Sequence, residues 1–310
     1  MVVEYPAVVV EVWRGPSVES LHTLVASVTD EAGREVARYG DPDFVTYWRS
    51  SAKPFQARPW VDGGTIAHFG WGDRETAIIC ASHVGADEHA QLVRRMLADI
   101  GLSEADLRCD HELKARHNCS GNHTGMLAAC VHRGWDVATY QRPEHPAQRA
   151  GVTALSEACG LPEDEIPRGV DGCGIVVCAT PVTAAARAYA ALPGLAPAIV
   201  RAMMANPVLI EGEGELDTVV MQGFPGAVSK AGAEGLGCVA LPGGGGLAVK
   251  ALDGGDRAVG PALIALLVRH LGLDDVPDVA EGQARPPVRN DAGEVVGELV
   301  ARLSGVTARV

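Results

Sequence analysis

The stretch Arg49-Ser50-Ser51-Ala52-Lys53-Pro54-Phe55-Gln56 puts a hydroxyl and an amine three residues apart. On a helical turn those two positions share a face, so the groups can meet. A serine hydroxyl is a weak nucleophile until a base sits within hydrogen-bond reach. A lysine becomes such a base when burial or a neighbouring cation makes its proton easier to lose. Pro54 is tolerated in the first helical turn and not in a helix interior, so Ser50 and Lys53 are expected at a helix start. The free N–H groups and positive dipole end found there favour a developing oxyanion. An N-cap serine followed by a solvated lysine is compatible with the same residues, so the rest of the chain must decide.

On the N-terminal side, Val8-Val9-Val10-Glu11-Val12-Trp13, Leu24 to Thr29 and Val36 to Gly40 read as three short strands. Gly15-Pro16 and Asp30-Glu31-Ala32-Gly33 separate them, and no crossover helix fits between. On the C-terminal side, helical spacing runs over Asp87–Leu102, Ser120–His132, Pro146–Cys159, Val182–Leu192 and Ala196–Ala205. The segment from 85 to 210 is therefore expected to be mostly helical. Strand signal returns at Gly226–Lys230, Leu236–Leu241 and Leu247–Leu252, followed by a helix at Pro261–Leu271 and a last strand at Val295–Leu299. The glycine run Gly243–Gly246 lacks the Gly-x-x-x-x-Gly-Lys-Ser/Thr pattern of a phosphate loop and reads as a turn. Strands, helices, then strands imply an α+β fold: one antiparallel sheet built from both chain ends, with a helical insertion. We expect a single catalytic domain over 1–310.

The balance of charge limits the partners. A formal charge of −13 over 310 residues argues against a nucleic-acid surface, which needs a basic patch. No apolar run approaches the length of a membrane span. Met1 to Pro6 show no basic, apolar and cleavage pattern of an export signal. Eight scattered cysteines then suggest reduced thiols and a cytoplasmic chain rather than a disulfide framework.

Reactive residues concentrate in four further segments: Cys80-Ala81-Ser82-His83, His117-Asn118-Cys119-Ser120-Gly121-Asn122-His123, Asp171-Gly172-Cys173-Gly174 and Ser229-Lys230-Ala231-Gly232-Ala233. Two serines and two lysines in this order resemble the serine β-lactamase and transpeptidase plan of Ser-x-x-Lys, a second serine and Lys-x-Gly on an edge strand. With the two cysteine segments added, the set resembles the Ser-Lys L-asparaginases, the asparaginase II family, from Val8 to the C-terminal strand.

That resemblance implies a β-lactamase-like fold and hydrolysis of L-asparagine to aspartate and ammonia. Ser50 would be the nucleophile, Lys53 its base, and Ser82 with Lys230 a second pair. Arg49, His123 and Asp171 would contact the substrate, and the Ala233 N–H would join that of Ser50 in an oxyanion hole. Cys119 and Cys173 match two ligands of a zinc site in the family. The third ligand there is a lysine in Cys-Ser-Gly-Lys-His, and here that position is Asn122. A carboxamide is a poor zinc ligand, which leaves His117, His123 or water to complete such a site. The family also implies a homodimer. Two other functions fit: a glutaminase or related amide hydrolase, and a silent homologue that binds a metal or amino acid. His83 beside Ser82 hints at a Ser-His pair, but adjacent residues of a strand point to opposite faces, which favours at most a local hydrogen bond over a triad.

Overall fold

A computed structural model describes residues 8–110 and 112–304. The segment Met1–Pro6 lies outside them. The chain forms two compact units, Met1–Thr46 with Thr180–Ala191 and Gly214–Val310, and Tyr47–Ala179 with Leu192–Glu213. In chain order the strands are β1 (Val8–Arg14), β2 (Ser17–Thr29), β3 (Glu35–Tyr39), β4 (Val45–Tyr47), β5 (Arg168–Val170), β6 (Val176–Pro181), β7 (Val228–Gly232), β8 (Leu236–Ala240), β9 (Gly246–Ala251), β10 (Pro287–Arg289) and β11 (Val295–Leu303).

The first unit is built on an antiparallel sheet in the order β10-β11-β1-β2-β9-β8-β7, with β3 also paired to β2. First and last strands are neighbours: Val10 lies opposite Ala301. The two halves join where Leu24 of β2 faces Ala251 of β9. This is the expected sheet from both chain ends. In β1 the alternation is plain, with Val8, Val10 and Val12 buried and the residues between them half-buried. The inward side packs on helix Val259–Leu271 through Val259, Leu263, Ile264 and Leu267, and on Val219 and Val220 of helix Leu216–Gly223.

β2 is longer than the apolar run predicts. Its polar half, Ser17 to Ser20, carries no core face but pairs with Arg14 to Val12 of β1, so backbone bonding extends the strand beyond its hydrophobic pattern. The glycine run is a turn, with Gly243, Gly244 and Gly245 all at positive φ between β8 and β9.

The second unit is largely helical: Lys53–Asp62, Asp73–Ile78, Asp87–Asp99, Ser120–Arg133 and Pro146–Cys159 lie wholly within it. The stretch from 85 to 210 is not helical throughout. Arg168–Val170 pairs antiparallel with Val176–Cys178, because the apolar run after Gly174 is too short for a helix and long enough for a strand. Helix Ser120–Arg133 sits unusually close to the chain before Ser82. A Cβ on Gly121 would lie 2.2 Å from the Ile78 carbonyl oxygen, and one on Gly125 would lie 2.9 Å from the Ile79 side chain. Only glycine admits that approach.

Among the described residues no single helix is long and apolar enough to cross a membrane.

Candidate active site

Ser50 lies in a short 3-10 turn, Arg49–Ala52, that runs directly into helix Lys53–Asp62, with Pro54 in its first turn. The expected helix start is therefore present. Arg49 has φ 49°, in the left-handed region that residues other than glycine rarely adopt. The turn closes on itself: the Lys53 N–H donates to the Ser50 carbonyl, and Ser51 Oγ donates to the Trp48 carbonyl at 2.6 Å. Ser50 is half-buried.

Lys53 is 2% exposed. Its Nζ donates to the Ala81 carbonyl at 2.7 Å, to Ser82 Oγ at 2.8 Å and to Cys119 Sγ at 3.3 Å. All three ammonium donors are thus used. The lysine that follows Ser50 in sequence grips Ser82 in space. Ser82 is fixed in turn by its own N–H, which donates to the Ile210 carbonyl at 2.8 Å. Among the described residues Ser50 Oγ has no hydrogen-bond partner.

His83 turns away from this cluster, as expected for a residue adjacent to Ser82. Its Nδ1 accepts the Gly85 N–H at 3.1 Å, so Nε2 carries the proton and donates to Ser120 Oγ at 3.0 Å. Ser120 Oγ passes the chain on to the Ala115 carbonyl. The ring stacks on His89 with centroids 4.7 Å apart. Burial first, then the neighbouring His89 and Lys53, push His83 down to about 3. A histidine depressed in the folded state stabilises fully above its unfolded value near 6.5 and loses that stability as pH falls toward the folded value. Between pH 7 and pH 5 this one group is expected to cost about 2 kcal/mol of folding stability. Urea unfolding at the two pH values, compared with His83→Gln, measures it. A variant as acid-sensitive as the parent would remove His83 from the account.

The thiols form a second cluster. Cys173 donates to the Cys119 sulfur, and this bond, with Lys53 and His117 nearby, holds Cys119 well below the usual thiol range. The same bond and burial push Cys173 up. His117 is raised to about 10 by hydrogen bonds first to Cys109 and then to Cys119. Cys109 was not singled out by the sequence, since no motif marks it. Asn122, at the position of the family's lysine ligand, is fully buried and donates Nδ2 to the Ile79 carbonyl at 3.0 Å. Among the described residues no three His, Cys, Asp or Glu side chains converge on a metal position. Cys109, His117, Cys119 and Cys173 are joined by hydrogen bonds to one another, while a carboxamide such as that of Asn122 is a poor zinc donor. The lysine ligand of that family site is missing here, and the Asn122 in its place is committed to the Ile79 carbonyl.

Arg49 and Asp171 come together as a two-pronged pair, Nε to Oδ2 at 3.1 Å and the terminal nitrogen to Oδ1 at 3.0 Å. Asp171 stands on the expected tight turn, closed by Gly174 N–H donating to its carbonyl at 2.8 Å. His123 is fully buried with Nδ1 2.6 Å from the Tyr140 hydroxyl. Its Nε2 is buried without a partner among the described residues, and burial pushes the ring down to about 4.

Lys230 and Ala233 belong to the other unit. Ala233 is exposed in the turn after β7, where Glu234 and Gly235 both have positive φ. Lys230, on β7, is fully buried and forms an ion pair with Asp217. Asp217 escaped the sequence reading because a lone aspartate at a helix start looks like ordinary capping.

The family model described as L-asparaginase II matches residues 10–301. No curated protein matches the sequence. Among solved structures, Mglu in its tris and glutamate form is similar at 15% identity and TM-score 0.48, covering 80% of this chain and 59% of that one. Mglu in its native form is similar at 15% identity and TM-score 0.48, covering 81% and 65%. A β-lactamase from Mycobacterium bovis is similar at 15% identity and TM-score 0.40, covering 84% and 96%. The chain thus spans about six-tenths of the length of the first of these.

Proposed function

Because the chain belongs to the L-asparaginase II family, we propose that it is an amidohydrolase that cleaves L-asparagine to L-aspartate and ammonia through an ester on Ser50. The observation that carries this is the position of Lys53: directly after the Ser50 turn, buried, with its Nζ on Ser82 Oγ. A lysine so placed serves two hydroxyls, one on its own turn and one it already holds.

Lys53, after giving up one of its three protons, takes the proton of Ser50 as Oγ attacks the amide carbon. The C–N bond breaks, and a proton passes from Lys53 through the Ser82 hydroxyl to the departing ammonia. Water, activated by the same route in reverse, then hydrolyses the ester and frees aspartate. The tetrahedral oxyanion needs fixed N–H donors. The Ser50 N–H at the helix start is one, and the roles of Lys230 and Ala233 rest on the family's pattern alone.

A free amino acid brings a carboxylate and an ammonium, and Arg49 with Asp171 matches both charges. The two neutralise each other until the substrate exchanges one ion pair for two. Asp171→Asn is expected to raise KM about 30-fold, the factor carried by about 2 kcal/mol, with a smaller change in kcat. An unchanged KM would take Asp171 out of substrate binding. The unpartnered Nε2 of buried His123 is a further polar group available to a bound ligand.

Ammonia release measured side by side on asparagine, glutamine and a chromogenic β-lactam tests the substrate. Preference for glutamine would make the chain a glutaminase with the same chemistry. Binding of asparagine without release of ammonia would point to the silent homologue.

A further inference from the structure

The carboxylate of Asp217 accepts three hydrogen bonds from β7. Its Oδ1 accepts Ser229 Oγ–H at 2.8 Å and the Ala231 N–H at 2.8 Å, and its Oδ2 accepts Lys230 Nζ at 2.5 Å. Asp217, Ser229 and Lys230 are all fully buried. Lys230 Nζ also donates to the Ala231 carbonyl at 2.9 Å. Among the described residues β7 ends the sheet and pairs only with β8. Its outer edge is where an unpaired N–H such as that of Ala231 would seek a neighbouring strand. Asp217 supplies the missing acceptor from helix Leu216–Gly223. Ser229 and Lys230 alternate along β7 and leave it on opposite faces, yet both side chains curl to the same edge and meet on one carboxylate.

A buried ion pair is weak as a stabilising device, since apolar residues of the same volume commonly do as well. What this one achieves is placement. We propose that Asp217 is a positioning residue that sets the Lys230 ammonium and the edge of β7 leading to Ala233. The inference rests on the catalytic reading of Lys230. The helix supplies the carboxylate, the carboxylate holds three consecutive residues of the strand, and those residues precede the turn that carries Ala233. A shift of about 1 Å at such a point costs on the order of 100-fold in rate.

Asp217→Asn keeps shape but presents an amide N–H to Lys230 or swaps that clash onto Ala231. It is expected to lower kcat about 100-fold while KM stays within about threefold. The chain has four lysines, Lys53, Lys114, Lys230 and Lys250, so their ammonium signals can be followed singly by nitrogen-15 NMR. The Lys230 signal, assigned through Lys230→Arg, is expected to be protected from exchange in the parent and lost in Asp217→Asn. An unchanged kcat and an unchanged Lys230 signal in the folded variant overturn the proposal. If Asp217→Asn does not fold, Ser229→Ala removes one tether and keeps the ion pair. It should move the Lys230 signal and lower kcat about fivefold, the worth of about 1 kcal/mol, and no change in either overturns the proposal. A parent that releases ammonia from no amide defeats the proposed function, while the NMR signal still decides whether Asp217 holds Lys230.

Discussion

Ser50→Ala is expected to abolish ammonia release, with kcat down at least about 10⁴-fold, as when a serine nucleophile is removed elsewhere. Little else should change. Among the described residues the Ser50 hydroxyl has no hydrogen-bond partner, and the turn that carries it is closed by the Ser50 carbonyl and by Ser51 Oγ. Removing an exposed-side hydroxyl with no partner is expected to alter folding stability by less than about 0.5 kcal/mol. Arg49 and Asp171 remain paired, so asparagine should bind to Ser50→Ala with an affinity near that of the parent. Calorimetric titration then separates binding from chemistry. More than a tenth of parental activity in a folded Ser50→Ala would transfer the nucleophile's role elsewhere, and Ser82, already on Lys53, would be the next candidate. Ser82→Ala should give the opposite pattern: a smaller loss, because a relay can be bypassed by water and a nucleophile cannot.

What the sequence disclosed of this site follows from how local each feature is. Ser50, Lys53 and Pro54 sit within five residues, so their helix start and shared turn could be read directly. The sheet of both chain ends was legible because β1, β8 and β9 carry their own apolar pattern. The bond from Lys53 to Ser82 was not legible. It spans 29 residues, in a region where Gly121 and Gly125 let a helix lie against the Ile78 carbonyl and the Ile79 side chain. The left-handed backbone of Arg49 was equally hidden, since nothing in an arginine demands φ 49°. It accompanies the 3-10 turn and a two-pronged side-chain bond to Asp171, neither of which the local sequence announces. Asp217 and Cys109 act only through residues brought from elsewhere, so no spacing rule could find them. The strand pair at 168–178 was not assigned from the sequence, for the converse reason. A run of short apolar residues satisfies either period, and pairing with β5 decided for a strand.

Lys53→Met and Lys53→Arg together make the sharper experiment on the base. Methionine keeps the length and the apolar stem but leaves the Ala81 carbonyl, Ser82 Oγ and Cys119 Sγ without their donor. Leaving such buried acceptors unpaired is expected to cost about 1–3 kcal/mol of stability, enough to lower the melting temperature without unfolding the chain. Activity should fall at least about 10³-fold, since both the base and the relay contact are gone. That loss alone does not separate a base from a positive charge that merely holds the site together. Arginine does. A guanidinium keeps the cation beside Cys119 and can still donate to Ser82, but it does not give up its proton in a protein. If Lys53 acts as base, Lys53→Arg should be as inactive as Lys53→Met while keeping more of the parent's stability, since it still places a donor and a cation beside Cys119. Activity in Lys53→Arg within about tenfold of the parent would reduce Lys53 to an electrostatic role and leave proton transfer to another group.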